Sequence, residues 1–123
     1  MAKILIVDDD PDVVDVCKIV LEKEGHIVSS AINRSDGMKA VQDFNPELLI
    51  LDIIMEQHDD GLIMAQDLRR QGFKAPILML TSIGKVTGMN YGKDDSLVPV
   101  DDFVEKPVAP KTIIAKVNSL LKK

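Results

Sequence analysis

The chain has no tryptophan, one tyrosine, three phenylalanines and a single cysteine. So few aromatics leave the core to be packed from Val, Ile, Leu and Met. With Cys17 alone, no internal disulfide can form and a Cys-based metal site is excluded. A reducing cytoplasm is the simple setting for such a chain. Long apolar runs are missing too. None approaches the ~20 residues of a membrane span, and Lys3 is followed only by Ile4-Leu5-Ile6-Val7 before the acids begin, too short for a signal peptide. Basic excess is also absent. Fifteen Lys and Arg stand against 20 Asp and Glu, a formal net charge of −5. A nucleic-acid-binding domain would ordinarily show a basic stripe, so neither nucleic acid nor membrane is an expected partner. What remains is a chain of 123 residues, 46% apolar and 28% charged, the make-up of one soluble domain. No linker, repeat or low-complexity tract divides residues 1–123, and no output domain is expected.

Four short apolar runs each stop at a polar side chain. Ile4-Leu5-Ile6-Val7 runs into Asp8, Asp9 and Asp10; Leu48-Leu49-Ile50-Leu51 runs into Asp52. Ile77-Leu78-Met79-Leu80 runs into Thr81, and Phe103-Val104-Glu105 into Lys106. Continuous apolar runs separated by helical patterns read as strands of a parallel sheet buried on both faces. Parallel strands end on one edge, which is where open α/β sheets bind ligands. The carboxylates, the hydroxyl and the ammonium should therefore meet at one rim. Any one of them has a plainer reading, since Asp at a strand end is a common helix cap. Their joint placement is what points to a site.

The repeat of strand and helix predicts an α/β fold. Asp10 can cap and Pro11 can open a first helix, with Val13, Val16, Cys17, Val20 and Leu21 on its inner face and Gly25 as terminator. Cys17 on that face is a packing residue. A second strand is expected over 26–31, and a second helix from Ser35 or Asp36, with Met38, Val41 and Phe44 inward, stopping at Asn45-Pro46. Strand three spans 48–52. The next helix turns Leu62, Ala65 and Leu68 inward, and strand four covers 77–81. Between 82 and 100, Gly84, Gly88, Gly92 and Pro99 break any helical period, so at most a short helix is expected there. Strand five covers about 102–106. A last helix runs from about 110 to 121 with Ile113 or Ile114, Val117, Leu120 and Leu121 inward.

Carboxylates that crowd one rim repel, and a cation relieves them. Hard oxygen ligands of this kind suit Mg²⁺, which takes one or two carboxylates, keeps several waters and engages phosphate; Mn²⁺ can substitute. Asp52 is the candidate nucleophile, since a carboxylate can accept a phosphoryl group. Lys106 would serve as a point charge on the phosphoryl oxygens, and Thr81 as a hydroxyl donor to them.

Asp8-Asp9 after the first run, Asp52 followed by Ile53-Ile54-Met55, Thr81, and Asp102-Phe103-Val104-Glu105-Lys106-Pro107 together resemble the receiver domain of bacterial two-component response regulators, of the single-domain chemotaxis type. The resemblance covers Lys3 to Leu121. It implies a flavodoxin-like, doubly wound five-stranded parallel sheet in order 2-1-3-4-5. It implies a metal held by Asp8, Asp9, Asp52 and the backbone carbonyl of Ile54. A sensor histidine kinase or phosphotransfer protein would supply the phosphoryl group, and an unidentified downstream protein would read the result. The domain would catalyse only its own phosphorylation and dephosphorylation. A cis bond before Pro107 and a switching aromatic at Phe103 are implied as well, although Phe103 is equally an ordinary core residue.

Two departures stand out. Met55 is followed by Glu56 where proline is usual, and the loop to Gly61, carrying His58, Asp59 and Asp60, is one residue longer. The stretch from Thr81 to Lys106 is about three residues longer, so the region of the usual fourth helix is expected to be irregular or shortened. Residues 83–100 are expected to form a loop whose order depends on phosphorylation. Ile54 and Ile83 are expected to slow water attack on the phosphorylated form. His26, away from the rim, has no inferred role. The alternatives are a degenerate receiver acting as a phosphorylation-independent binding module, an Asp-nucleophile phosphatase, and a flavodoxin-like cofactor binder. The phosphatase lacks an acid–base partner, because Ile54 occupies the position two after Asp52. The cofactor binder lacks a phosphate loop after strand one.

Overall fold

The computed structural model describes residues 2–52, 60–82, 100–106 and 108–121. Five parallel strands, β1 (Lys3–Val7), β2 (Ile27–Ala31), β3 (Leu48–Asp52), β4 (Ile77–Ser82) and β5 (Asp102–Lys106), form one sheet in the order β2-β1-β3-β4-β5. All five lie within a residue of the positions read from the sequence. Helices α1 (Pro11–Lys23), α2 (Arg34–Phe44), α3 (Asp60–Arg70) and α4 (Pro110–Leu121) accompany it. The irregular fourth-helix region, the loop at 83–99, Ile54, Glu56, His58, Asp59, Ile83 and Pro107 lie outside the described residues, and with them the expectations placed there.

The side-chain alternation of the strands divides the interior in two. Ile4, Ile6, Leu48, Ile50, Leu78 and Leu80 meet Val14, Cys17 and Leu21 of α1 and Ile113, Val117 and Leu120 of α4. Leu5, Val7, Leu49, Leu51, Ile77 and Met79 meet Val41 of α2 and Met64, Ala65 and Leu68 of α3. Every apolar residue of β1 and β3 is wholly buried. Each such side chain stabilises the fold by roughly 1.5–3 kcal/mol relative to exposure. The sheet is thus fixed most firmly at β1 and β3, the strands that carry the acids.

The helices differ from expectation in detail. On α1, Val14 is buried and Val16 is 42% exposed. The run Val13-Val14-Asp15-Val16-Cys17 contains two overlapping stripes at helical spacing, and the one centred on Cys17 and Leu21 faces the sheet. On α2, Asn33 is the cap: its side chain accepts from Asp36 N at 2.7 Å, so the helix starts before Ser35. Asn45 ends it in the left-handed conformation, φ 54° and ψ 62°, and Pro46 follows. On α3, Gly61, Met64, Ala65 and Leu68 are buried and Leu62 is half-buried. A glycine on the inner stripe hid the true phase. On α4, Ile113 is buried and Ile114 partly so.

One polar clip holds the amino end of β4. Asp101 Oδ2 accepts from Ile77 N at 2.8 Å and from Arg69 Nη2 at 3.0 Å, and Asp101 N donates to Ile77 O at 2.9 Å. Arg69 Nη1 donates to the carbonyls of Phe73 and Ala75, both at 2.9 Å. Asp101→Ala is expected to cost about 1.5–3 kcal/mol, the range for losing hydrogen bonds to a charged group, read as a lower urea midpoint. An unchanged midpoint would show the clip to be incidental.

Candidate functional site

The acidic rim is assembled by strand register. Val7 pairs with Leu51, so Asp8 and Asp52, each one position further, leave adjacent strands side by side. Asp8 N donates to Ala31 O at 3.1 Å, which carries the β1–β2 ladder one residue past the strand and fixes where its side chain starts. Asp8 Oδ1 accepts from Asp10 N at 2.9 Å, an Asx turn. Asp10 in turn caps α1, accepting from Asp12 N at 3.0 Å, with Pro11 in the first turn as expected. The chain therefore passes from strand to helix through three consecutive acids, each with a different task.

The outcome is a convergent donor set. Carboxylate oxygens of Asp8, Asp9 and Asp52 all lie within 4.8 Å of one another. Asp8 is fully buried, Asp52 is 5% exposed, and Asp9 is exposed. Among the described residues, Asp8 and Asp52 are the buried charged side chains. At an effective dielectric of about 20, full charges 4.8 Å apart repel by about 3.5 kcal/mol before neighbouring groups offset it. A pocket of hard oxygens with that strain between them fits Mg²⁺ or Mn²⁺ and does not fit a soft metal.

The other expected residues stand at the same edge. Asp52 pairs with Leu80, so Thr81 is one position beyond on β4; Thr81 pairs with Glu105 and Ser82 with Lys106. The rim thus receives Asp8 and Asp9 after β1, Asp52 from β3, Thr81 from β4 and Lys106 from β5. Phe103 is half-buried and packs against the core on the α2–α3 side. His26, which had no inferred role, accepts a hydrogen bond from Ala2 N at its Nδ1, 3.2 Å away, and so ties the start of β1 to β2. Sequence reasoning missed Ala31, which acts through its carbonyl and leaves no side-chain signal. The Asp8–Asp10 turn was missed as well, although the Asp-x-Asp spacing carries a signal for it.

A doubly wound parallel sheet with three carboxylates converging at its carboxyl edge is the architecture of a domain whose acidic site could hold a divalent metal. The chain belongs to the response regulator receiver domain family, whose model matches residues 4–118. It is a two-component signalling domain. It is 34% identical to the DNA-binding dual master transcriptional regulator RpaA of Synechocystis sp., over 100% of this chain and 50% of that protein. It is 32% identical to the alkaline phosphatase synthesis transcriptional regulatory protein PhoP of Bacillus subtilis, over 98% of this chain and 49% of that protein. The chain therefore spans about half the length of these relatives. Among solved structures, a response regulator from Chloroflexus aurantiacus superimposes with a TM-score of 0.86 at 26% identity, covering 99% of this chain and 98% of that one. The receiver domain of NtrX from Brucella abortus gives 0.82 at 27% identity, covering 98% of each.

Proposed function

We propose that this domain is a phosphoacceptor switch in which Asp52 is reversibly phosphorylated. The observation that carries the reading is the convergence of Asp8, Asp9 and Asp52 within 4.8 Å at the carboxyl edge of the sheet. A carboxylate oxygen of Asp52 attacks phosphorus, and the P–N bond of a phosphohistidine on a sensor kinase or phosphotransfer protein breaks. The imidazole leaves with the bond's electron pair, and an acyl phosphate remains on Asp52. Asp8, Asp9 and Asp52, with the Ile54 carbonyl that the family resemblance implies, would hold a divalent ion, which would supply charge neutralisation. Thr81 donates a hydrogen bond to the phosphoryl oxygens, and Lys106 balances their charge. Water attack on phosphorus later restores the carboxylate. The domain promotes these two steps on itself and acts on no other substrate.

The signal is read by protein contact. The net charge of −5 supports a protein reader over nucleic acid for residues 1–123. No helix among the described residues is long and apolar enough to cross a membrane, and the single buried Cys17 accords with work in the cytoplasm. Incubation with acetyl phosphate and Mg²⁺, followed by intact mass measurement, tests the reading. The wild-type chain is expected to gain one phosphoryl group and Asp52→Ala none. No gain in the wild type would leave a phosphorylation-independent binding module.

A further inference from the structure

Asp10 is exposed and is not one of the three clustered carboxylates. Its backbone is nevertheless held from both sides. Pro11 follows it, and the residue before a proline is confined to extended conformations; Asp10 has φ −93° and ψ 108°. Its carbonyl accepts from Val14 N at 3.1 Å, the first bond of α1. Its carboxylate accepts from Asp12 N at 3.0 Å, and its own N–H donates to Asp8 Oδ1 at 2.9 Å.

That last bond bears on the acidic pocket. The sheet sets only the backbone of Asp8, whose N–H donates to Ala31 O. Two side-chain torsions remain, and a donor on one carboxylate oxygen restricts both. The donor is only as steady as the turn that carries it. Val14, Cys17 and Leu21 bury the body of α1, but Pro11 and Asp12 at its start are exposed. The first N–H groups of a helix have no partner within it, and here the Asp10 side chain supplies one. The cap steadies the turn, and the turn steadies Asp8.

We propose, on the strength of the phosphoacceptor reading, that Asp10 is a positioning residue for the metal. By capping α1 it keeps its own N–H on Asp8, and so presents the Asp8 carboxylate to a divalent ion in a prepared orientation. This task needs a short side chain with an acceptor oxygen, which Asn supplies as well as Asp does. It does not need a negative charge. A carboxylate that merely drew the ion toward the rim would need the charge and not the cap, so the two roles part on substitution by Asn. Groups that orient a metal's ligands typically contribute about 10–100-fold to its affinity.

Magnesium titrations followed by Tm test this, each variant being compared with its own metal-free Tm. Asp10→Ala is expected to weaken magnesium binding about 10-fold or more. It should also slow phosphorylation by acetyl phosphate at low magnesium, with the deficit closing as magnesium saturates. Asp10→Asn is expected to stay within about twofold of the wild type in both measurements, because it keeps the cap. If Asp10→Ala lowers only the metal-free Tm and binds magnesium as the wild type does, the cap is structural and the proposal is overturned. An Asp10→Asn as weak as Asp10→Ala overturns it too, in favour of charge. A wild type that neither binds magnesium nor is phosphorylated overturns the phosphoacceptor reading and this proposal with it, whereas the first two results overturn this proposal alone.

Discussion

Asp8→Asn is expected to slow phosphorylation by acetyl phosphate about 10²–10³-fold, the usual loss when one preorganised charge contact in a reacting site is removed. The substitution is nearly isosteric. It keeps an oxygen to accept from Asp10 N, so the turn into α1 survives, and it removes one of two buried negative charges. A second readout separates metal binding from chemistry. Ligand at tenfold excess over its dissociation constant stabilises a fold by about 1.4 kcal/mol, which corresponds to a few degrees in Tm for a domain of this size. Magnesium should produce that rise in the wild type and little or none in Asp8→Asn. Equal shifts in the two proteins would mean that the ion, if bound, does not use Asp8. Retained phosphorylation with a lost thermal shift would divide the two roles.

Gly37→Val is expected to destabilise the domain by about 3 kcal/mol or more, with Gly37→Ala costing far less. A Cβ at position 37 would lie 2.9 and 3.1 Å from the two methyls of Val7 and 3.0 Å from Met64 Cε. Overpacking of this kind costs about 1–3 kcal/mol, and alanine recovers about 1 kcal/mol of helix propensity relative to glycine. Met64 is flexible and can withdraw. Val7 cannot move without moving β1, because it is wholly buried and paired on both sides with Ala31 and Leu51. Valine adds two methyls to that gap and loses the propensity gain. The urea midpoints of the two variants test the ordering. Because Asp8 follows Val7, the same variants should weaken the magnesium-induced rise in Tm, and an unaffected rise would show that the strand end is insulated from α2.

The sequence carried the parts of this structure that depend on burial on two sides. β1 and β3 have no exposed face, so their runs are unbroken and their ends, Asp8 and Asp52, could be placed without coordinates. The sheet order came only through resemblance; nothing in the runs themselves says that strand three lies beside strand one. Helix phase was less legible. α1 offers two apolar stripes, and only packing chooses between Val14 and Val16. α3 turns a glycine inward, which no hydrophobicity count rewards. The start of α2 was set by Asn33, whose reciprocal bond with Asp36 was overlooked in favour of the residues after it. The role of Asp101 as the clip on β4 was not legible in the sequence, because its partners Arg69 and Ile77 are remote in sequence.

The strand order has a consequence for the protein during its own synthesis. Asp8 leaves the ribosome before its neighbour in the sheet, β3, which is reached only after α2 has crossed over and Asp52 has emerged. Until then the first acids have no counterpart, and a nascent or truncated chain ending before β3 is mute to any signal. Responsiveness is acquired in stages, first when the crossover sets Asp52 beside Asp8 and then when β4 and β5 bring Thr81 and Lys106 to the same rim.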